Sequence, residues 1–388
     1  TLLDADAVER IRDHQFLIRV IFRVDGLYRS SEFLPRGELP DARGIDNQRL
    51  TRPELAVLLS YGKMALYRDM IASSVPEDRY LSRELAAYFP APLRRRYEDL
   101  MAGHRLAREI IATALTNSLV NRMGPVFAYR TRDETGADMA SVARAYTIAR
   151  EVFNVRALWQ AIENLDSQVH ANTQYSMMSR TTRLLKHGTH WFLDRPALID
   201  DIAAAVQRFG PAARKLVVGT AEYLTGREYK RFEDARVLYA DIGIPDDVAR
   251  VMAGLHSLHS ALDIIEVAEH TDADVLFVAA IYFRLGESLE VDWLRDQVER
   301  LTVEGRWQAM ARNSMRENLY FLQGQITQQV LDVAGRQPPD KALANWSEAR
   351  ADRLIHVHDT ISEMRTQGQM DFATLGVALQ EIRRLTQV

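Results

Sequence analysis

Leu50-Thr51-Arg52-Pro53-Glu54-Leu55-Ala56-Val57-Leu58-Leu59-Ser60-Tyr61-Gly62-Lys63 puts a helix start signal in front of an apolar repeat that runs on through Met64 and Leu66. Thr51 suits the N-cap, Pro53 the first turn, and Glu54 the position from which a carboxylate reaches back to a free N–H. Leu55, Leu58, Leu59, Met64 and Leu66 follow at the three- to four-residue spacing of one helix face. The same spacing recurs in Leu106, Ile110, Ile111, Leu115 and Leu119, and in Leu375, Leu379 and Ile382. Sustained period-two alternation is missing, and Leu216-Val217-Val218 stands alone without hairpin turns. The expected class is mainly α: an array of helical hairpins with no extended sheet.

Punctuation along the chain supports many short helices. Thr135-Gly136-Ala137-Asp138 and Thr271-Asp272-Ala273-Asp274 have the form of further helix starts, read with the threonines as N-caps. Pro35, Pro40, Pro90, Pro92, Pro196, Pro211, Pro245 and Pro338-Pro339 mark breaks, and the polar stretch 36–48 reads as a loop. Three parts are expected: 1–130, 131–335, and a C-terminal helical pair at 336–388. Aligning Thr135 with Thr271 brings Ala137, Asp138, Val142, Ala143, Tyr146, Glu151, Val155, Leu158, Glu163 and Leu165 onto identical residues of 271–302. This echo of 135–166 reads as an internal duplication of one helix-turn-helix unit; convergence of two amphipathic hairpins is the alternative.

Composition narrows the function. The chain has 388 residues, 47% hydrophobic and 26% charged, with net charge −4. That balance suits a cytoplasmic globular protein and points to neither nucleic acid nor a membrane as partner. No apolar run is long enough for a spanning helix, and the first residues have no signal-peptide charge pattern. The missing N-terminal methionine suggests a piece of something longer. Without cysteine there is no disulfide, thiolate metal site or cysteine nucleophile. No Gly-x-Gly-x-x-Gly, P-loop, His-Glu-x-x-His or Gly-x-Ser-x-Gly occurs. His187 with His190 and His256 with His259 have i, i+3 spacing but no third ligand at a matching offset, and His356-x-His358 faces two ways. Arg94-Arg95-Arg96 reads as a solvated face in preference to a phosphate site. No catalytic, cofactor or metal residue is therefore assigned.

A resemblance adds to this reading. The opening stretch is similar to a signature of the large bacterial NAD-specific glutamate dehydrogenases. So are Tyr80-Leu81-Ser82-Arg83-Glu84-Leu85 with Tyr88-Phe89-Pro90, and Arg108-Glu109-Ile110-Ile111-Ala112-Thr113 with Asn117 and Val120-Asn121-Arg122-Met123-Gly124. Asp292-Trp293-Leu294-Arg295, Arg306-Trp307-Gln308-Ala309 and the closing 375–385 also match. The resemblance implies the helical region C-terminal to a dehydrogenase core, in a homo-oligomeric parent that uses NAD to convert L-glutamate to 2-oxoglutarate and ammonium. The family's glycine-rich loop and its catalytic lysine and aspartate are expected upstream, so no cofactor belongs to this segment. Its expected partner is the core of the same polypeptide. Arg52, Glu54, Asn117, Asn121 and Arg122, polar residues in apolar runs of the matching motifs, are candidates for a packing network or a docking surface. Phe16, Phe22, Tyr28 and Phe33 are candidate docking anchors within Phe16 to Tyr67, with filling of the segment's own core the equal alternative. A free-standing helical interaction scaffold is the competing class; its discriminator is whether a dehydrogenase core is encoded directly upstream of Thr1. An enzyme with a dispersed site is the third.

Overall fold

The structure is a computed structural model, and it describes residues 52–94, 96–97, 100–101, 103–303, 305–335, 337–368 and 370–387. Every regular element among the described residues is a helix, and no strand occurs among them. The helices form two compact units. The described part of the first is 52–149 with 185–205; the second is 150–184 with the chain from 206 onward.

In the first unit, α1 (Arg52–Ala72) and α2 (Ser82–Tyr88) pack on α3 (Ala107–Met123), which leads into α4 (Phe127–Thr135) and α5 (Met139–Val152). Leu58, Leu66 and Met70 of α1 and Ile111, Leu115 and Leu119 of α3 are buried where the two helices pack. Of the α1 repeat, Leu59 and Met64 are exposed. The Arg108 guanidinium closes the end of α1 by donating to the carbonyls of Ile71 and of Ser73 (2.9 Å), as cations at helix C-termini do. The Tyr146 hydroxyl, fully buried on α5, meets Ser118 Oγ of α3 at 2.9 Å.

The second unit contains α6 (Val155–Glu163), much of α7 (Ala171–Leu193) and α8 (Ile202–Val218), α9 (Gly226–Asp241), α10 (Asp246–Gly254), α11 (Ala261–His270), α12 (Val275–Ser288), α13 (Val291–Arg300), α14 (Arg306–Ala334), α15 (Pro339–Glu348), α16 (Ala351–Gln367) and α17 (Phe372–Thr386). The 29-residue α14 is its spine: α11, α12, α13, α15 and α17 all pack against it.

Two local expectations are corrected. Thr135 and Thr271 are not N-caps. Each ends the preceding turn, its hydroxyl bonded back to the carbonyl of Thr131 (2.7 Å) or Val267 (2.8 Å). Asp138 and Asp274 cap instead, accepting from Ser141 N at 2.7 Å and Leu276 N at 2.9 Å. The left-handed residues between them, Gly136 (φ 75°) and Asp272 (φ 49°), turn the chain before the cap and so move the helix start three residues on. Pro211 does not break the chain but lies inside α8, where Gly210 before it has no Cβ to meet the proline ring. Leu216-Val217-Val218 is the last turn of that helix. The Thr51 cap and the loop at 36–48 lie outside the described residues.

The α5–α6 and α12–α13 hairpins follow one backbone plan at an offset of 136 residues (271 minus 135). Their first helices start at 139 and 275 and end at 152 and 288; their second helices start at 155 and 291. A non-glycine residue in the left-handed region, Asn154 or Glu290, precedes each second helix. Val142, Ala143, Tyr146 and Val155 are fully buried, as are Val278, Ala279, Tyr282 and Val291.

Candidate functional site: a buried polar network

The α12–α13 hairpin carries the densest set of buried charge in the second unit. Arg295 of α13 lies in a run whose Val291, Leu294 and Val298 are buried, and it is itself only 7% exposed. A guanidinium removed from water must be paired. Its Nη1 donates to Asp292 Oδ1 one turn back at 3.2 Å. Its Nη2 donates to the Tyr282 hydroxyl of α12 at 3.2 Å and to Gln323 Oε1 of α14. Its carbon lies 4.1 Å from the centroid of the Tyr320 ring, a cation–π contact with α14. Gln323 in turn donates from Nε2 to the Tyr282 carbonyl at 2.7 Å. Gly286 makes room for this, because a Cβ there would sit 2.5 Å from Gln323 Nε2.

A second layer lies on α9. Glu228, also buried, accepts from Arg231 Nη1 at 3.1 Å. Arg231 reaches His256 Nε2 at 2.6 Å and both carboxylate oxygens of Asp296 at 3.1–3.2 Å. Arg227 adds a contact to Asp296 at 3.2 Å. Three arginines thus face three carboxylates.

Electrostatics follows from burial and pairing. Burial pushes the Glu228 carboxyl up, but His256, Arg231 and Arg295 outweigh it and hold the group below the ordinary glutamate value. Burial dominates at Asp292 and raises it, Glu228 adding to the rise and Arg295 opposing it. Burial pushes the Tyr320 hydroxyl up to about 12 against the pull of Arg295 and Arg316, and Tyr282 rises further. At neutral pH the tyrosines keep their protons and the arginines their charge. The arrangement ties four helices together.

On the α6–α7 side of this unit, burial raises Glu151, but Arg150 and Arg156, each at 2.9 Å, overcome it and lower the carboxyl. A carboxylate with a lowered folded pKa contributes stability that is complete above its unfolded pKa and is lost as pH falls through the folded value. Stability in urea should therefore drop below about pH 4, the ordinary carboxylate range. Glu228→Gln should be destabilising at pH 7, and its deficit against the parent should shrink as the pH is lowered. A deficit that grows in acid would show the sign to be wrong.

The sequence-derived candidates lie in the first unit. Glu54 is buried on α1; Asn117 and Arg122 are partly buried on α3, and Asn121 is exposed there. The helices that carry them pack together. The Arg52 side chain, Phe16, Phe22, Tyr28 and Phe33 lie outside the described residues. Among the histidines, His187 is buried, and His190 Nε2 faces Glu134 at 3.6 Å. His356 Nε2 faces Glu381 at 3.4 Å. Among the described residues no three potential metal ligands cluster, and no helix is long and apolar enough to cross a membrane.

The buried network was not singled out from the sequence, where Asp292-x-x-Arg295 looks like a surface i, i+3 pair. The signal was in the hairpin alignment: Arg295 falls on Trp159, a buried residue whose Nε1 donates to Thr181 Oγ1 of α7 at 2.9 Å. The positive-φ glycines among the described residues, 124, 136, 226, 243, 335 and 368, flank helix ends.

Comparison with known proteins gives a consistent match. The profile of the family described as "Glutamate dehydrogenase, C-terminal" matches residues 47–384. The chain is 36% identical over 388 residues to an NAD-specific glutamate dehydrogenase of Pseudomonas aeruginosa, covering all of this chain and 24% of that protein. It is 38% identical over 362 residues to one of Halomonas elongata (91% of this chain, 22% of the relative). It is 30% identical over 388 residues to one of Mycobacterium tuberculosis (98% and 24%). The chain thus spans about a quarter of the length of the curated relatives it matches.

Proposed function

The chain belongs to the glutamate dehydrogenase C-terminal family, and from that premise we propose that it is the non-catalytic helical end of a large NAD-specific glutamate dehydrogenase. In this reading the parent converts L-glutamate, NAD and water to 2-oxoglutarate, ammonium and NADH in the cytoplasm, as a homo-oligomer. The present residues brace its dehydrogenase core. One observation carries the reading: the most concentrated chemistry of the second unit, around Arg295, is spent on partners inside the fold. Groups that act on a substrate must face it; these face other helices. Under the same reading the α5–α6 and α12–α13 hairpins are copies of one ancestral unit. The polar residues at 54, 117, 121 and 122 then serve packing within the first unit more than docking.

The chain alone, folded by circular dichroism, should form no NADH from glutamate and NAD at 340 nm. It should also give no saturable heat on titration with NAD to millimolar concentration. Turnover above a mock preparation, or saturable NAD binding, would reject the reading.

A further inference from the structure

We infer that the connection between α2 and α3 is the surface on which this chain receives the preceding part of its own polypeptide. The inference rests on the proposed membership in a longer enzyme. Residues 89–106 join Tyr88 to Ala107 and include a short helix at Ala91–Arg94. Arg94 donates to the carbonyls of Phe89 and Ala87 at 2.8 Å each, and the Phe89 ring lies 5.6 Å from the His104 ring, drawing its two ends together.

Yet few of the described residues in this connection are buried. Met101 is in the core, while Tyr88 (67% exposed), Leu93, Tyr97, Leu100 (71%) and Leu106 all lie open. Tyrosine and arginine are the residues that interfaces concentrate, and Arg96 stacks over Tyr97 at 5.4 Å. Arg94, Arg95, Arg96 and Arg105 against Glu98 and Asp99 leave the segment with an excess of two positive charges, so the complementary surface is apolar with an acidic rim.

Area selects the occupant. The five side chains expose on the order of 500 Å², a functional patch but short of the ~800 Å² per partner that a free complex of standard size buries. A partner joined through the chain needs less, because tethering raises its effective concentration. The relatives extend for about three quarters of their length beyond the matched region, and the family is their C-terminal one. The tethered partner of sufficient size is therefore the polypeptide that precedes this segment.

The test uses the full-length polypeptide with a benzophenone amino acid at position 100, irradiated and mapped by mass spectrometry. Crosslinks should run to peptides upstream of this 388-residue chain within the same polypeptide. In parallel, Tyr88→Asp with Leu100→Asp should speed amide exchange over 86–107 by tenfold or more. Crosslinks confined to residues 1–388, crosslinks between two copies, no crosslink above a probe placed at Val218, or unchanged exchange would each overturn the inference. The proposed function would survive that failure, since its own assay asks only whether the chain turns over glutamate.

Discussion

Arg295→Ala is expected to destabilise the second unit by about 3–5 kcal/mol, the usual consequence of removing one partner of a buried ion pair. The loss has three sources. Asp292, buried and already raised in pKa, loses the cation that opposes its desolvation. Gln323 and the Tyr282 hydroxyl lose the donor that α13 supplies. The Tyr320 ring loses the group stacked on it. Urea unfolding followed by circular dichroism reads the effect. A loss under about 1 kcal/mol, typical of an exposed pair, would mean that Arg295 reaches water.

Trp159→Ala should cost a similar amount, about 3–5 kcal/mol, for a different reason. The indole is buried between α6 and α7, and its truncation leaves a cavity and removes the donor to Thr181 Oγ1, which keeps its own bond to the Met178 carbonyl. The two residues occupy the same register position, so the contrast between their rescues is informative. Replacing Asp292 and Arg295 together with leucine and methionine should recover most of the first loss, because apolar groups of similar volume often substitute for a buried ion pair without penalty. Trp159→Phe should recover most of the second, leaving only the hydrogen bond, about 1 kcal/mol. If the paired replacement is as damaging as Arg295→Ala alone, the network contributes something that apolar packing cannot.

Much of the fold was legible from spacing. The runs around Leu58, Leu115 and Leu375 became helices with those residues buried, since a 3.6-residue period reports which face leaves water. Helix starts were less legible. Threonine followed three residues later by a carboxylate fits a cap at either residue, and the choice fell to left-handed Gly136 and Asp272, which a composition rule does not see. Pro211 shows the reverse case, a breaker tolerated because Gly210 removes the clash. The candidate site was the least legible. Sequence flagged Glu54, Asn117, Asn121 and Arg122 by motif, and the structure spreads these from buried to exposed. Arg295 passed unflagged because pairing at i, i+3 looks the same in water as in a core. Only the packing of α9, α12 and α14 around it distinguishes the two.

We propose that this region's buried charge holds helices and performs no chemistry. Steady-state NADH formation by the full-length polypeptide carrying Asp292→Leu with Arg295→Met tests it most directly. The account predicts kcat and KM for glutamate within about threefold of the parent protein, a difference well under the 1.4 kcal/mol of a tenfold change. A hundredfold or greater fall in kcat, with the helical content and melting transition intact, would contradict it.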